Sequence, residues 1–523
     1  MRIRNSIATR NFNRASASAP FKWMAKKRTG RQRFHRRSIR TILPPLLIFL
    51  SSCAVGPNYH RPGVNVPSDF RGAEGAAKQA SIADLPWWEV YKDERLKELV
   101  KTALANNYDL QIAVTRIEQA RQISAQARAQ YFPAAGYSVN ASDGKNAFGA
   151  IDPNAPGGET RGTLIAVAGA TWEADVWGRI RRSNEAARAQ YLSTEEARRG
   201  VMLTLTSEVA QAYFELLELE LELDIATQTT DSFAQTVKLF TERLEGGVAS
   251  LLDTSRAEAA EATAAASIPE LERQIARKEN QISVLLGNNP GPIPHTAKLL
   301  DEIIPPDVPA GLPSALLERR PDILVAEQQV RAANAEIGVA TASFFPQIGL
   351  TALLGRVSTP LSAISSGQSN LWTIAANVTG PLYQGGALIA KKREAVAVWE
   401  QTRLQYELAA LNAFQDVSNA LISRQKYDGI RDKQAEAVQA YEESVKVSLQ
   451  RYIAGKASYY EVLEAQQQLF PAQNALAQTE LYRRTVILQL YKALGGGWNL
   501  SDPQWLGAQS NSNSQNSPTP QKP

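Results

Sequence analysis

Hydrophobic residues recur at alternating spacings of three and four along about forty residues in the first half of the chain. All but one member of this series, Thr230, are apolar. The members are Met202, Leu205, Val209, Ala212, Leu216, Leu219, Leu223, Ala226, Thr230, Phe233, Val237, Phe240 and Leu244. A repeat that averages 3.5 residues keeps one seam of a helix turned toward a partner and favours a left-handed supercoil. No proline and one glycine, Gly200, fall between Ser183 and Leu244, so the pattern predicts one long helix over about 184–244.

A helix of about 60 residues is roughly 90 Å long, which is far above the average for globular domains. The sequence therefore predicts an elongated molecule. The remaining pattern divides the chain as follows: a leader over 1–52, an extended arm over 53–92, a first unit over 93–290, a proline-rich connector over 291–313, a second unit over 314–498 and a polar tail over 499–523. The first unit is predicted to hold short helices over 94–106 and 109–130, strands over 135–141 and 163–174, and a return helix over 251–286 after the long helix.

The second unit repeats the order of the first. Arg320-Pro321-Asp322-Ile323 matches Asn107-Tyr108-Asp109-Leu110, and Phe345-Pro346 matches Phe132-Pro133, both at an offset of 213 residues. Matches after the strands have an offset of 208, so the second loop between strands is expected to be five residues shorter. The duplication predicts strands over 347–354 and 371–381, a long helix over 386–452 and a return helix over 458–494.

Apolar and polar residues alternate along the last predicted strand. Trp372, Ile374, Ala376 and Val378 alternate with Leu371, Thr373, Ala375 and Asn377, a pattern that is typical of strands in a membrane β-barrel. Aromatic residues near the strand ends are expected to lie at the membrane interfaces; they are Tyr131, Phe132, Trp172, Trp177, Phe344, Phe345, Trp372 and Tyr383. Two hairpins in one chain leave open strand edges, so closing them requires several copies of the chain.

The first 52 residues carry 13 Lys or Arg and no Asp or Glu, and they end in a short apolar run. This composition is typical of an export signal, which starts at Met1 or Met24. The run ends Leu50-Ser51-Ser52-Cys53, which resembles a bacterial lipobox and predicts lipid on Cys53, the only cysteine of the chain. Without the leader, 44 Lys and Arg stand against 52 Asp and Glu, so the net charge changes from +5 to −8. The basic leader therefore gives no support for nucleic-acid binding.

Several segments in order resemble the TolC-like outer-membrane factors, and specifically the efflux lipoproteins that serve resistance–nodulation–division pumps. These segments are Cys53-Ala54-Val55-Gly56-Pro57-Asn58-Tyr59, Trp87-Trp88 with Asp93 and Leu96, 317–323 (Leu-Glu-Arg-Arg-Pro-Asp-Ile) and Leu494-Gly495-Gly496-Gly497-Trp498. The resemblance implies a mainly α homotrimer in the bacterial outer membrane, whose twelve strands form one β-barrel continued by a long periplasmic α-helical barrel. It also implies passive conduction of small molecules, with an inner-membrane pump and a periplasmic adaptor as partners.

The resemblance carries over to individual residues. The turns 243–250 and 451–458 resemble the family's periplasmic tips, where the adaptor-contact residues are Gly247, Val248, Ala249, Ser250, Gly455, Ala457 and Ser458. Tyr460 and Glu464 fall where the family lines its aperture, and their spacing of four places them on one helix face. Arg256 occupies the position of Glu464 in the first unit and is expected to form a closing ion pair with it. At these two positions the family more often has the shorter Leu and Asp, so the sequence departs from the family pattern here and does not define the width of the bore.

No pattern for catalysis, a metal or a cofactor is found. The three histidines, His35, His60 and His295, lie far apart in the sequence, and no phosphate-binding loop or nucleophile motif is present. Three alternatives stay open: a channel for type I protein secretion, a periplasmic adaptor lipoprotein and a structural coiled coil of the envelope. The duplicated strands favour a channel over the last two.

Overall fold

Two helices of 67 residues each dominate the structure. The computed structural model describes residues 54–73, 81–85, 90, 93–142, 163–295, 297–301, 309–358, 364–365 and 369–496. The predicted leader, Cys53, the Trp87-Trp88 motif and the predicted tail lie outside the described residues. No described helix combines the length and the apolar character that a transmembrane helix requires.

The elements follow one another in two similar series. The first series is α1 (Glu94–Asn106), α2 (Tyr108–Ala129), β1 (Ala134–Ser142), β2 (Thr163–Ala174), α3 (Arg179–Glu245), α4 (Leu251–Ala265) and α5 (Ser267–Leu285). The second is α6 (Leu316–Arg319), α7 (Pro321–Ala342), β3 (Gln347–Ser358), β4 (Asn370–Thr379), α8 (Ala387–Ile453) and α9 (Tyr459–Ala493). Short 3₁₀ turns cover Ile82–Asp84, Leu299–Asp301 and Pro313–Ala315.

Helix α3 buries the seam that the periodicity predicts. Leu205, Val209, Leu216 and Phe240 are among the buried members of the series, which confirms the predicted packing face. The helix begins five residues earlier than the prediction, since the Asp175 carboxylate accepts hydrogen bonds from the backbone N–H groups of Ile180 and Arg181 at 3.0 and 2.9 Å. A carboxylate at this end satisfies free N–H donors and complements the helix dipole.

The helices and the strands each form one ordered series. Helix α2 packs on α3, α3 packs on α7, and α7 packs on α8, while α4, α5 and α9 pack against α3. The four strands form one antiparallel sheet in the order β1-β2-β3-β4. Helix α2 leads into β1 and β4 leads into α8. The helical series therefore ends at α2 and α8, and the sheet ends at β1 and β4. Each end of the sheet is continuous in the chain with one end of the helical series, β1 with α2 and β4 with α8.

One face of the sheet is apolar, as the alternation predicts. Ile374 lies beside Ala352 and Trp372 beside Leu354 in the β3–β4 ladder, and the side chains of Trp372 and Ile374 are exposed. Residues of the opposite parity, such as Thr373 and Asn377, place polar groups on the other face. Most of the aromatic residues expected at the strand ends lie at the end nearest the helices, where Trp177 stacks on Phe345 at 4.7 Å.

The return path of the first unit differs from the expectation. The sequence predicts one helix over 251–286, but the structure has α4 and α5, separated at Ala266. Pro269 explains the interruption, because proline has no N–H to donate to the carbonyl of Ala265 and its ring crowds that carbonyl. The matching helix α9 is continuous but also contains a proline, Pro471.

An extended arm over residues 54–73 lies along α3 and α7. The Val55 N–H donates to the carbonyl of Trp177 at 3.0 Å, and the Asn334 side chain donates to the carbonyl of Pro57 at 3.0 Å. The Arg182 guanidinium donates to the Asn58 side chain at 2.8 Å. The arm thus contacts helices of both units, as a segment predicted to lie on the surface would.

Candidate functional site at the helix tips

Each long helix ends in the same tight turn. In the first tip, Gly247 has φ +74°, and the N–H of Val248 donates to the carbonyl of Arg243 at 2.9 Å. In the second tip, Gly455 has φ +69°, and the N–H of Lys456 donates to the carbonyl of Arg451 at 2.8 Å. These are the hydrogen bonds of a Schellman motif, in which glycine supplies the left-handed residue that ends the helix.

The residues predicted to contact an adaptor lie at these turns. Gly247, Val248, Ser250, Gly455 and Ser458 are exposed, while Ala249 and Ala457 are half-buried. Ser250 caps the start of α4, since its hydroxyl accepts from the N–H of Asp253 at 3.2 Å. Ser458 has no such side-chain cap. The two turns are therefore alike in backbone but differ in how the following helix starts.

The first tip also presents two exposed leucines that lie outside the predicted contact residues. Leu251 is 69% exposed and Leu252 is also exposed, and they are the first two residues of α4, three and four positions after Val248. Exposed apolar side chains that are grouped in this way mark interaction surfaces more often than isolated ones do. The signal was present in the sequence as two leucines that begin a helix without continuing its buried seam.

An aromatic cluster joins the two tips. The Phe240 ring of α3 lies 4.9 Å from Tyr452 and 4.2 Å from Tyr459 between ring centroids. The Arg243 guanidinium lies 4.9 Å over the Tyr452 ring, an arrangement that favours a cation near the ring face. Burial raises the pKa of Tyr459 to about 12. The start of α9 is therefore packed against the end of α3.

Tyr460 and Glu464 lie on the side of α9 that faces away from its contact with α3. Tyr460 is 60% exposed and Glu464 is exposed, whereas Tyr459, Val462 and Leu463 beside them are buried. Gln466 also faces α3 and donates to the hydroxyl of Thr236 at 3.3 Å. The structure thus holds one face of α9 and leaves the face with Tyr460 and Glu464 open to solvent or to another copy.

Arg256 is exposed on α4 and lies near Tyr459, whose pKa it lowers against the larger effect of burial. Among the ion pairs of the described residues, none joins Arg256 to Glu464 within one chain. The nearest comparable ion pair at this tip joins Arg451 and Glu461 at 3.4 Å. The closing ion pair predicted between Arg256 and Glu464 is therefore not formed within the described chain.

A family model for outer membrane efflux proteins matches residues 99–288 and 312–496 of the chain. The two matched segments cover both units and together span well over half of the sequence. The chain belongs to the outer membrane efflux protein family. The resemblance to outer-membrane factors is thereby confirmed, and so is the predicted duplicated, mainly helical fold.

Relatives and solved structures agree with this assignment over most of the efflux protein. The solvent efflux pump outer membrane protein SrpC of Pseudomonas putida is 34% identical over 87% of this chain and 97% of its own. The cation efflux system protein CusC of Escherichia coli is 32% identical over 86% of this chain and 96% of its own. The solved outer-membrane channel OprN superimposes with a TM-score of 0.79 at 28% identity, over 85% of this chain and all of the other. The efflux protein is accordingly an outer-membrane transport protein, as predicted.

The family consists of channel-type efflux proteins rather than enzymes. In the part of the efflux protein that the structure describes, no group of three His, Cys, Asp or Glu side chains is arranged to hold a metal ion. His295 lies in the connector, where its Nε2 is 2.9 Å from the Glu220 carboxylate, and its ring meets Tyr213 edge-on. This histidine fastens the connector to α3.

Proposed function

We propose that the protein is the outer-membrane channel of a tripartite efflux pump and conducts small molecules passively to the exterior. In this proposal three copies form the channel. A resistance–nodulation–division pump in the inner membrane supplies the substrate, and a periplasmic adaptor joins the two. The observation that carries the proposal is that the sheet and the helical series end together, at β1 with α2 on one side and at β4 with α8 on the other. One chain thus forms part of the wall of a tube, which further copies of the chain close.

The unpaired edges of the sheet require partners. Among the strands that the structure describes, β1 and β4 each pair with one neighbour, which leaves the N–H and C=O groups of their other sides without a strand partner. Groups of this kind are satisfied in an apolar environment only by pairing with another strand. Three copies with four strands each would close into one wall of twelve strands, with the apolar face that carries Trp372 and Ile374 turned outward.

The gate in this proposal is formed by Tyr460 and Glu464 at the second tip. Repeated around the axis, Glu464 forms a ring of carboxylates, a device that favours cations. Tyr460 adds an aromatic ring one turn away. Arg256 of a neighbouring copy forms the closing ion pair with Glu464, because within one chain the two side chains do not pair.

The tips are the proposed contact for the adaptor. Gly247, Val248, Ala249 and Ser250 at the first tip, and Gly455, Ala457 and Ser458 at the second, are small or exposed and allow close approach of another helical hairpin. The apolar side chains of Leu251 and Leu252 extend the first tip and are proposed as its anchors. Because Lys456 replaces Val248 at the second tip, the two tips present different surfaces.

Lipid on Cys53 is proposed as a second attachment to the outer membrane. A single acyl chain gives only marginal membrane binding, so it supplements the strands rather than replacing them. The arm places Ala54, the residue after Cys53, against Gly178. The contact is so close that a Cβ added to Gly178 would lie only 2.6 Å from the Cα of Ala54. Gly178 directly precedes α3 and lies four residues after the end of β2. The residue after Cys53 therefore lies at the junction between the sheet and the helices.

Small molecules are favoured over proteins as the substrate. SrpC is named for solvent efflux and CusC for cation efflux, and this chain is about equally similar to both. A channel for type I protein secretion remains the alternative. Export of a labelled small dye by cells that carry the pump, with no export of a protein client, separates the two.

Single-channel conductance in planar bilayers tests the gate. We expect small, cation-selective steps from the purified protein, and larger steps with weaker cation selectivity from Glu464→Ala. Glu443→Ala is the matched control, since Glu443 is also exposed but lies on α8, paired with Lys446; its conductance should equal that of the wild type. Equal conductance and selectivity in all three proteins would refute the gate. Absence of conductance together with a monomeric mass would refute the channel.

A further inference from the structure

The four strands of the described sheet contain two charged residues, and these lie on opposite faces. Glu173 of β2 lies on the polar face, where its carboxylate accepts from the guanidinium of Arg179 at 2.7 Å. Arg356 of β3 lies two residues after Leu354 and therefore on the same, apolar face. Its side chain is exposed. A cation on a face that is turned toward lipid is costly unless the charge reaches a polar group.

Most of the donors of the Arg356 guanidinium have no partner among the described residues. Its Nη1 donates to the carbonyl of Ile364, which lies between β3 and β4 in the chain, at 2.8 Å. None of the ion pairs of the described residues includes Arg356, and a guanidinium carries five N–H donors. The other donors are suited to a group with several acceptor oxygens that approaches from the membrane. A phosphate has such oxygens, and arginine binds it with two parallel hydrogen bonds.

The position of Arg356 along its strand places it at the outer boundary of the apolar band. β3 begins at Gln347, near the helices, and Arg356 lies nine residues further on. That separation is roughly 30 Å along a strand, or about 23 Å along the membrane normal at the usual tilt of about 40°. The apolar band of an outer-membrane strand is about 25 Å tall. Arg356 therefore reaches the level of the lipid head groups on the side away from the helices.

Two tryptophans mark the two boundaries of this band. Trp172 of β2 lies near the helices, where its Nε1 donates to the carbonyl of Tyr131 at 2.9 Å. Trp372 of β4 pairs with Leu354 nearer the opposite end of the sheet, and its side chain is 72% exposed. Tryptophan favours the level at which acyl chains give way to head groups. Arg356 follows Leu354 by two residues on the same face, so it lies just beyond the outer tryptophan.

An apolar groove crosses the sheet between these two tryptophans. It consists of two depressions of about 410 and 420 Å³ that share Ala170, Ala352 and Ile374. The first depression reaches Trp172, and the second reaches Trp372. The small side chains of the two alanines form the floor, so an acyl chain can lie close to the strands there. The outer end of the groove is one row of side chains away from the exposed arginine.

We propose that Arg356 and this groove bind an anionic lipid of the outer leaflet. A phosphate of the head group pairs with the guanidinium, and an acyl chain lies in the groove. A phosphate ion in solution would use the charge alone, and a neutral lipid would use the groove alone, whereas a phosphorylated lipid is complementary to both. This inference rests on the membrane position of the sheet in the proposed function, and it adds one lipid site per chain to the outer surface.

Native mass spectrometry of the detergent-purified protein tests the charge. The probe is diphosphoryl lipid A, a phosphorylated glycolipid with several acyl chains, and the comparison is the same lipid after removal of its phosphates. The wild-type protein should bind one phosphorylated lipid per chain, about tenfold more tightly than the dephosphorylated form. Arg356→Gln should lose this preference, whereas Arg356→Lys, which keeps the charge, should retain most of it. Arg277→Gln, an exposed substitution on α5, should bind both lipids as the wild type does.

A second variant tests the groove without changing a charge. Ala352→Leu places a larger side chain in the floor that the two depressions share, so it should weaken binding of the phosphorylated lipid. Ala376→Leu is the matched control, because it makes the same change on the apolar face outside both depressions and should bind like the wild type. Inorganic phosphate should not displace the lipid, since an ion cannot fill the groove. Displacement by phosphate would overturn the lipid as the occupant.

The native mass and the conductance of each protein are measured in parallel, which separates this inference from the proposed function. An oligomer that conducts but binds both lipids equally, with or without Arg356, would overturn the lipid site and leave the channel standing. Equal losses of binding in Arg356→Gln and Arg277→Gln would also overturn it, because net charge rather than the site would then explain the preference. A monomeric protein without conductance would overturn both the lipid site and the channel.

Discussion

The Phe240 ring of α3 packs against the Tyr459 ring of α9, with centroids 4.2 Å apart and ring planes inclined by 52°. The two residues belong to different units of the duplication, and both are buried. Tyr459 directly precedes Tyr460, the exposed residue of the proposed gate. The position of the gate residue is therefore set by a contact with the first unit and not by its own hairpin alone.

Replacing Phe240 with alanine should loosen the gate. Removing a buried phenylalanine ring typically costs about 3–5 kcal/mol, and here the loss falls on the contact that holds the start of α9. We expect larger and noisier conductance steps and a lower unfolding temperature for Phe240→Ala. Tyr441→Ala, which removes a half-buried ring elsewhere on α8, is the control. A Phe240→Ala channel with wild-type steps would show that the aromatic cluster does not position the gate.

Gly455→Ala should destabilise the second tip. Gly455 has φ +69°, a conformation that costs an L-residue about 1 kcal/mol or more, although nothing lies within 4 Å of a Cβ there. Gly429→Ala is the matched control: Gly429 lies inside α8 without a positive φ, so alanine should stabilise the helix by about 0.5–1 kcal/mol. Thermal unfolding at equal protein concentration should therefore move in opposite directions for the two variants. Movement in the same direction would exclude backbone strain as the cause.

Local pattern predicted those parts of the fold that depend on neighbours in the sequence. The seam of α3 and the alternation of β4 follow directly from residue spacing, and the structure buries or exposes those residues accordingly. The turns at Gly247 and Gly455 were also predictable, because a glycine that ends a helix has a local conformational role. For the same reason the duplicated matches located corresponding elements in both units.

Contacts between distant residues were not predictable in this way. Phe240 and Tyr459 are more than two hundred positions apart, and no periodicity relates α3 to α9. The arm is a similar case, since its aperiodic sequence indicated an extended segment but not the helices that it contacts. The separation of α4 from α5 was missed although Pro269 is visible in the sequence, because the apolar spacing continues across it.

Arg61 is expected to fasten the arm to the second unit. Its guanidinium donates to the hydroxyl of Tyr406 at 3.1 Å and to the carbonyl of Leu317 at 2.8 Å, and it also pairs with Glu318 and Glu327. Because Glu327 is buried, Arg61→Met leaves that carboxylate with fewer partners and should cost about 2 kcal/mol.

Limited proteolysis checks this expectation, since a released arm is cut faster. Cleavage within residues 54–73 should accelerate in Arg61→Met and stay at the wild-type rate in Arg71→Met, which changes an exposed arginine of the same arm. Equal cleavage rates in the two variants would mean that the backbone contacts of Val55 and Pro57 hold the arm without Arg61.

Two carboxyl groups on α3 should make the stability of the protein depend on pH. Glu218 is buried, and its side chain is hydrogen-bonded to that of Glu222 one turn later. Burial, followed by the charge of Glu222, raises the pKa of Glu218 from its ordinary value of 4.5 to about 8. The charge of Glu215 raises the pKa of Glu218 further, whereas Lys278, which donates to the Glu215 carboxylate at 2.6 Å, lowers it and so opposes the rise in part. At neutral pH the folded protein therefore holds a proton at this pair.

The sign of the effect follows from where that proton goes on unfolding. The unfolded chain releases it near pH 4.5, whereas the folded chain retains it up to about pH 8. The stability contributed by this group is thus complete below pH 4.5 and is lost as the pH rises toward 8.

Glu218→Gln keeps a hydrogen-bonding side chain that does not titrate. Its unfolding temperature should fall less than that of the wild type between pH 5 and 8, and it should be the more stable protein at pH 8.5. Glu443→Gln, an exposed substitution on α8, should follow the wild-type profile. Parallel profiles for all three proteins would show that Glu218 ionises near its ordinary value, and the pair would then carry no proton at neutral pH.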